Sequence, residues 1–317
     1  MTHFRTFRND DPPGLLRVWN EAFTGRSTVP LRSAALLEVF LLGKPYFDPA
    51  GLVVAEEQGD VIGWALCGFG PDAAGAGLDP STGVVCVLGV LPDRRRQGLG
   101  SELLRRCEGY LRGRGARVLL AGPMAPRNPF TFGVYGGSQS PGFLASEPGT
   151  GLLLTRLGYR PAETMLVLQR HLDRPFNVID GRFPALRKRF EVRPLPRHGT
   201  AGWYREAALG PIEVEGFRLE ERSTGRAVGH AQVWEMDPYS QRWNEQAVGV
   251  LRCEVEEGHR RQGLARLLLG NVLRHYHDQY FTLVEAQVRQ EDAAALALLR
   301  GLGFQQVDAG HAYRRDQ

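Results

Sequence analysis

Two short stretches of this 317-residue chain have the make-up of an anion-binding turn. Arg95-Arg96-Gln97-Gly98-Leu99 recurs letter for letter as Arg260-Arg261-Gln262-Gly263-Leu264, 165 residues further on. Where such a turn opens a helix, several backbone N–H groups lack intrahelical partners and the positive end of the helix dipole lies beside them, so a phosphate docks readily. Gly98 and Gly263 let the phosphate approach the backbone without a Cβ in the way. Gly100 and Ala265 are the small residues that keep the approach open, and the four arginines Arg95, Arg96, Arg260 and Arg261 add charge-assisted donors. The chain has neither a G-x-x-x-x-G-K-[ST] motif nor a G-x-G-x-x-G after an early strand, which argues against a Walker-type NTPase and a dinucleotide fold.

The flanking patterns supply the elements that position both turns. Gly83 to Val90 precedes the first and is almost wholly apolar, the pattern of a strand buried on both faces; Ala247 to Val255 precedes the second. After the first turn Leu99, Leu103, Leu104, Cys107 and Leu111 form one helical stripe, with Glu102, Arg105, Arg106 and Glu108 outside it. Leu264, Leu267, Leu268, Val272 and Tyr276 do the same in the second copy. A short strand follows each helix (Arg117 to Ala121, Thr282 to Ala286). A second helix then ends at Leu157-Gly158-Tyr159 or Leu302-Gly303-Phe304, with Gly as the helix-terminating residue and the aromatic opening a last strand. Strand, turn, helix, strand, helix, strand thus occurs twice, the mark of a duplicated unit.

Upstream, the first unit adds a strand at His3 to Phe7, helical patterns around Leu15 to Trp19 and Ala34 to Leu42, and a hairpin of Gly51 to Glu56 with Val61 to Leu66. The second has an opening strand at Phe190 to Leu195 and a hairpin of Phe217 to Glu221 with Val228 to Trp234. Between Leu195 and Phe217 there is no room for two full helices, so this unit is trimmed at its start. The expected organisation is two α/β (α+β) domains joined end to end, 1–172 and 190–317, with a linker near Asp173 to Pro184. Arg187-Lys188-Arg189 reads as linker or strand entry.

The segment Val90-Leu91-Pro92-Asp93-Arg94-Arg95-Arg96-Gln97-Gly98-Leu99-Gly100 resembles the acetyl-CoA loop of the GCN5-related N-acetyltransferase (GNAT) superfamily, and Val255 to Ala265 matches the same pattern. Gly158-Tyr159 and Gly303-Phe304 match the family's closing signature, so the resemblance covers both halves. It implies tandem GNAT-like domains, each a mixed, splayed β-sheet flanked by helices, with acetyl-CoA wedged between the fourth and fifth strands. The amides of Arg96, Gln97, Gly98, Leu99 and Gly100, and by correspondence Arg261, Gln262, Gly263, Leu264 and Ala265, would hold the pyrophosphate. Leu88 and Val90, and Cys253 and Val255, would pair with pantetheine and thioester. The acetyl group would pass directly to an amine of a small molecule or peptide. The alternative is an acyl-CoA-binding or scaffold protein without turnover.

The chain departs from the family where the acid that protonates the leaving thiolate usually stands. Those positions are Leu154 and Leu299, and Asp292 replaces the family's Asn near the start of the second copy's last helix. The first copy has compensation to offer in a long insertion, Gly122 to Gly149, whose Gly-rich segment carries Tyr135, a candidate general acid; loops this long are uncommon unless functional. Glu254, on the fourth strand of the second copy beside the expected thioester, is a candidate base if its apolar neighbours raise its pKa. Gly89 is its counterpart in the first copy, where Glu56 or water would have to serve. With its full upstream helices, Gly100 and Tyr135, the first copy is the better candidate for catalysis.

Composition bounds the rest. A 43% hydrophobic, 23% charged chain is globular, and its net charge of +4 suits a polyanionic ligand but is too small and interspersed for nucleic acid. No apolar run is long enough to span a membrane and the first residues lack a signal-peptide core, so a cytoplasmic protein is expected. The four separated cysteines read as buried free thiols, and no metal-ligand spacing is present.

Overall fold

The computed structural model describes residues 1–172, 178–195 and 202–316. The first half contains β1 (His3–Thr6), α1 (Pro12–Ala22), α2 (Ala34–Leu37, continued by a π turn over Glu38–Leu42), β2 (Leu52–Glu57), β3 (Asp60–Pro71), β4 (Leu78–Val90), α3 (Leu99–Gly113), β5 (Val118–Ala121), β6 (Phe143–Leu144), α4 (Pro148–Arg156) and β7 (Arg160–His171). The second contains α5 (Phe183–Arg189), β8 (Phe190–Leu195), α6 (Trp203–Leu209), β9 (Glu215–Glu221), β10 (Ala227–Glu235), α7 (Asp237–Trp243), β11 (Ala247–Val255), α8 (Leu264–Asp278), β12 (Leu283–Arg289), α9 (Ala293–Gly301) and β13 (Gln305–Asp316). Every element expected around the two turns is present. Of the expected linker, 173–177 lie outside the described residues. Phe183–Arg189 is a helix, not linker: Phe183 and Leu186 are buried in the second core, and Arg187, Lys188 and Arg189 form its last turn.

Local chemistry explains the helices nearest the turns. Pro12-Pro13 opens α1, where a missing N–H costs nothing. Asp11, buried just before it, accepts two hydrogen bonds from Arg5 at 2.8 and 2.7 Å and so ties α1 to β1. Leu15, Val18 and Trp19 face the sheet, and the Trp64 indole on β3 donates to Leu15 O at 3.1 Å. On the other face, α3 buries the expected stripe of Leu99, Leu103, Leu104, Cys107 and Leu111.

The two halves do not sit end to end as separate sheets. One sheet runs β1-β2-β3-β4-β5-β13-β7-β12-β11-β10-β9-β8. The last strand of each half lies on the other half's side of the centre: β13 pairs antiparallel with β5, and β7 pairs antiparallel with β12. The two exchanged strands also pair with each other, from Gln305↔Gln169 to Arg314↔Arg160. This exchange corrects the expectation for Glu108. It is 5% exposed, because β13 brings Arg315 to 3.0 Å from its carboxylate and Tyr159 donates to it at 3.1 Å.

In each half the parallel pair at the turn splays apart at a β-bulge. Pairing of β4 with β5 ends at Val85↔Ala121, and Cys86 is the extra residue opposite Leu66/Cys67. In the second half pairing ends at Val250↔Ala286 and Leu251 is the extra residue opposite Gln232/Val233.

Since β13 closes the first half, truncation after Phe304 should disrupt both halves. It strips β5 and β7 of a neighbour and leaves the Glu108 charge buried without its arginine, so a fall in Tm of at least about 10 °C is expected. The buried Trp19 and Trp64, both in the first half, report it through near-UV dichroism and fluorescence. An unchanged signal from them would refute the dependence.

Candidate active site

The two turns have the same backbone. Arg96 and Gly98 have φ of 64° and 85°, and Arg261 and Gly263 have 63° and 84°. Two left-handed residues separated by one of negative φ turn backbone N–H groups toward a concavity suited to an anion, and each turn runs straight into a helix N-terminus. The positive φ explains why Gly stands at the helix start, and Arg96 and Arg261 accept the left-handed strain. Arg95 Nε donates to Val90 O at 3.2 Å and its Nη2 to Ala22 O at 3.0 Å; Arg260 Nε donates to Val255 O at 3.1 Å. These first arginines brace the strand ends. Gln97 and Gln262 each reach back across their turn, to Asp93 O and Gly258 O, at 3.4 Å.

The surroundings of the turns differ. A Cβ added to Gly98 meets nothing within 4 Å, so the first cradle is open; Gly100 sits where a Cβ would come 3.0 Å from Leu153 of α4. At Gly263 the same Cβ would lie 2.9–3.1 Å from the Arg182 guanidinium, a residue the motif alone did not bring in. Leu88 is buried and Val90 half-buried on β4, opposite Ala65 and Gly63 of β3. Cys253 and Val255 hold the matching places on β11, opposite Ala231 and Gly229. Burial pushes the Cys253 thiol up to about 12.

Beyond the first splay, two groups meet under the α1–α2 connection. Gly89 lies where a Cβ would touch the Phe23 ring at 3.0 Å, and that ring packs edge-on against Tyr135 at 6.1 Å. Tyr135 is 4% exposed; its hydroxyl accepts from Leu144 N at 3.1 Å and donates to Glu147 Oε2 at 3.3 Å. Glu147 also accepts from Gly25 N at 3.0 Å. Burial, aided by the nearby carboxylate, holds the Tyr135 hydroxyl far above its ordinary value, so it yields a proton poorly. Burial likewise raises the Glu147 carboxyl, against the hydrogen bonds from Gly25 and Tyr135.

Glu147 escaped the motif search, although a signal existed. Counting back from Gly158 as Asp292 counts back from Gly303 lands on Glu147. Asp292 caps its own helix through Ala295 N at 2.9 Å, whereas Glu147 turns away from α4 toward Tyr135. Leu154 and Leu299, at the family's usual acid position, are buried core residues. Glu56 is spent on Arg5 at 2.8 Å on the far edge strand pair.

Glu254 departs from its expected chemistry. It is exposed and forms a bidentate pair with Arg252 at 2.5 and 2.7 Å, with His230 3.7 Å away. Its pKa is lowered, chiefly by the Arg252 hydrogen bonds, the opposite of the direction a base requires. The reason is that α6, short and placed between β8 and β9 as α1 is between β1 and β2, does not cover this face as α1 covers its own. It meets the face through Arg205, which donates to Gln232 at 2.7 Å. His230 and Glu254 hold the places of Trp64 and Gly89, which α1 covers in the first half, so this sheet face stays wet. A cavity of about 470 Å³ over it is lined by His230, Gln232, Glu254 and Arg260. A second cavity, about 380 Å³, lies between the halves near Tyr135, with Val29, Leu31, Phe40 and Val134 as walls and Asp237 and Arg242 at its rim. Among the described residues no cluster of His, Cys, Asp and Glu is arranged to hold a metal ion, and no helix is long and apolar enough to cross a membrane.

Splayed parallel strands, each opening on an anion cradle at a helix start, thus occur in both halves. The sequence profile of the Acetyltransferase (GNAT) family matches residues 16–135 and again 186–304. The chain belongs to that family, as a tandem member. A tandem GNAT protein from the clavulanic acid biosynthesis pathway aligns over 100% of this chain and 98% of its own, at 18% identity and a TM-score of 0.67. A GCN5-related N-acetyltransferase from Sphaerobacter thermophilus aligns over 99% and 95%, at 17% identity and 0.66. A mycothiol acetyltransferase from Cellulomonas flavigena is 34% identical over 79 residues, 24% of this chain and 23% of that protein. The chain thus matches about a quarter of the length of this curated relative.

The raised Glu147 carboxyl carries a pH signature. Its folded value lies above that of the unfolded chain, so its contribution to stability is fully present below the unfolded value and is lost as pH rises through the folded one. Glu147→Gln should therefore melt higher than the wild type at pH 8, by a few degrees at most, with the gap closing toward pH 4. A gap that widens on acidification would reverse the sign.

Proposed function

We propose that this protein is an acetyl-CoA-dependent N-acetyltransferase whose working centre is the first copy, with an amine of a small molecule or peptide as acceptor. The observation that carries this reading is the open cradle at Gly98, at the end of the strand whose Gly89 lies under the Phe23 ring that packs on Tyr135, the hydroxyl donor to Glu147. Bound there, acetyl-CoA would supply the thioester. The chain's own groups do the rest. Amides 96–100 hold the pyrophosphate at the start of α3, and the free edge of β4 beyond Cys86 orients the pantetheine. Glu147, with its raised affinity for a proton, takes one from the incoming ammonium. The neutral nitrogen would attack the thioester carbonyl and the C–S bond would break; the nitrogen's second proton would pass to the departing sulfur, leaving the acetyl group on nitrogen as an amide and coenzyme A as its thiol.

Tyr135 fits a different task from general acid. With its hydroxyl donated to Glu147, it positions the base; a thiolate of pKa near 8.5 needs little help in leaving. The cavity beside Val134 supports an acceptor with an apolar body, its amine drawn by the Asp237 carboxylate at the rim. A cytoplasmic location is part of the same proposal, in keeping with cysteines that are all free thiols. A scaffold without turnover is the competing reading, favoured by Leu154 and Leu299 in place of the family's usual acid.

Thiol release against a panel of primary amines tests the proposal. Glu147→Gln should lower kcat by about 10²-fold with little change in acetyl-CoA affinity. Tyr135→Phe should cost about tenfold and move the acidic limb of the kcat profile, because Glu147 loses a donor. Equal kcat for wild type and Glu147→Gln would remove the base. No amine-dependent thiol release beside tight acetyl-CoA binding would favour the scaffold.

A further inference from the structure

We infer that the second copy's cleft is filled by the chain itself, so that the protein takes one acyl-CoA, at the Gly98 turn, and the second copy serves as a socket for the loop bearing Tyr135. The inference rests on the acyl-CoA reading above and adds which of two near-identical cradles is used.

The thioester end of the second cleft is taken by residues 136–139 of the first copy's insertion. Leu251 is the bulge residue where β11 parts from β12, and its carbonyl accepts from Gln139 Nε2 at 3.2 Å. Across the splay, Gln287 Nε2 donates to Gly136 O at 2.7 Å. Glu285, fully buried on β12, accepts from Ser138 N at 2.6 Å and from Gln169 Nε2 at 2.8 Å. The Trp234 indole donates to Ser138 O at 3.0 Å, and Gly137 N donates to the Tyr239 hydroxyl at 3.0 Å. The loop's polar backbone is thus satisfied by side chains of β10, α7 and β12. Displacing it for a pantetheine arm would cost the buried Glu285 its backbone donor and leave the Trp234 N–H without its acceptor.

The fit is close enough to demand glycine at its centre. Gly137 has φ of 95°, and a Cβ there would stand 2.1 Å from Glu285 Oε1. Tyr135 lies two residues before this anchor, so the second copy's side chains set where the first copy's hydroxyl points.

The pyrophosphate end is covered independently. Arg182 lies over Gly263 and is held by Asp180 through bonds of 2.9 and 2.7 Å. Asp180 is also 3.8 Å from Arg266, in the first turn of α8. Paired to Asp180, the Arg182 guanidinium takes the space over Gly263 into which a phosphate would have to move. Nothing comparable stands within 4 Å of the Gly98 position.

Calorimetric titration of the full chain with acetyl-CoA, paired with hydrogen exchange, tests the inference. One equivalent should bind, protecting amides 96–100 and leaving 261–265 unchanged, and Gly98→Glu should abolish all binding. Two equivalents, protection at 261–265, or one equivalent retained by Gly98→Glu would overturn it while leaving the acyl-CoA reading intact. No binding to the wild type would instead overturn that reading, and this inference with it. For the socket, Gly137→Ala should speed exchange by about tenfold or more across both 133–140 and 283–288. Should that variant fail to fold, Gln139→Ala reads the same segments. Exchange confined to the loop, with 283–288 unaltered, would show that the second copy does not hold it.

Discussion

Strand β13 carries hydrogen bonds to β7 along one edge and to β5 along the other, so the last strand of the chain completes a sheet begun by the first half. Strand β7 does the same for the second half through β12. Backbone N–H and C=O groups buried in a sheet must be paired, and here each half can satisfy its inner edge only with the other's last strand. The exchange also carries Arg315 to Glu108 and sets β13 against β6 within the insertion. The insertion's course from the first half toward the second cleft depends on that placement.

Duplication preserved the turns and let their surroundings diverge. The φ angles at the two left-handed positions of each turn agree within 1°, because turn geometry is a local property of a Gly-containing sequence opening a helix. What covers the sheet is not local. In the first half α1 lies over β3 and β4, allowing Trp64 and Gly89 to be buried there. Without such a cover the corresponding positions hold a half-buried His230 and an exposed Glu254, and Glu254 pairs with both His230 and Arg252. That face is enclosed in the first half, while in the second the insertion of the first half hydrogen-bonds across the parted strands.

Three glutamates, two buried and one half-buried, show how environment sorts one side chain into different roles. Glu108 faces a guanidinium and ties two elements together. Glu285 and Glu147 have neutral hydrogen-bond donors instead, and burial raises the pKa of both. Glu285 is enclosed by strand and loop and acts as an anchor. Glu147, at the head of α4, is only partly covered, and partial exposure is what lets a carboxyl exchange a proton with a ligand.

Much of this architecture was written in local pattern. The repeated Arg-Arg-Gln-Gly-Leu, the apolar run before it and the helical stripe after it identify the cradles, since each depends on residues within one turn or strand of one another. The terminating glycines at 158 and 303 were legible for the same reason, as their positive φ is a local demand. Periodicity alone put Glu108 outside the stripe and gave Glu254 apolar company. It had no means of knowing that Arg315 would arrive from the chain's other end, or that the strand face at Glu254 would lack a covering helix. Likewise the motifs made the two cradles equal, and only the fold lays Arg182 over one and leaves the other clear. Short-range sterics and hydrogen bonding therefore determined from sequence what each segment is. Which carboxylate is buried, which cradle is open and which loop lies against which cleft were decided by contacts between residues some eighty to two hundred positions apart, Arg182 over Gly263, Ser138 on Glu285 and Arg315 on Glu108.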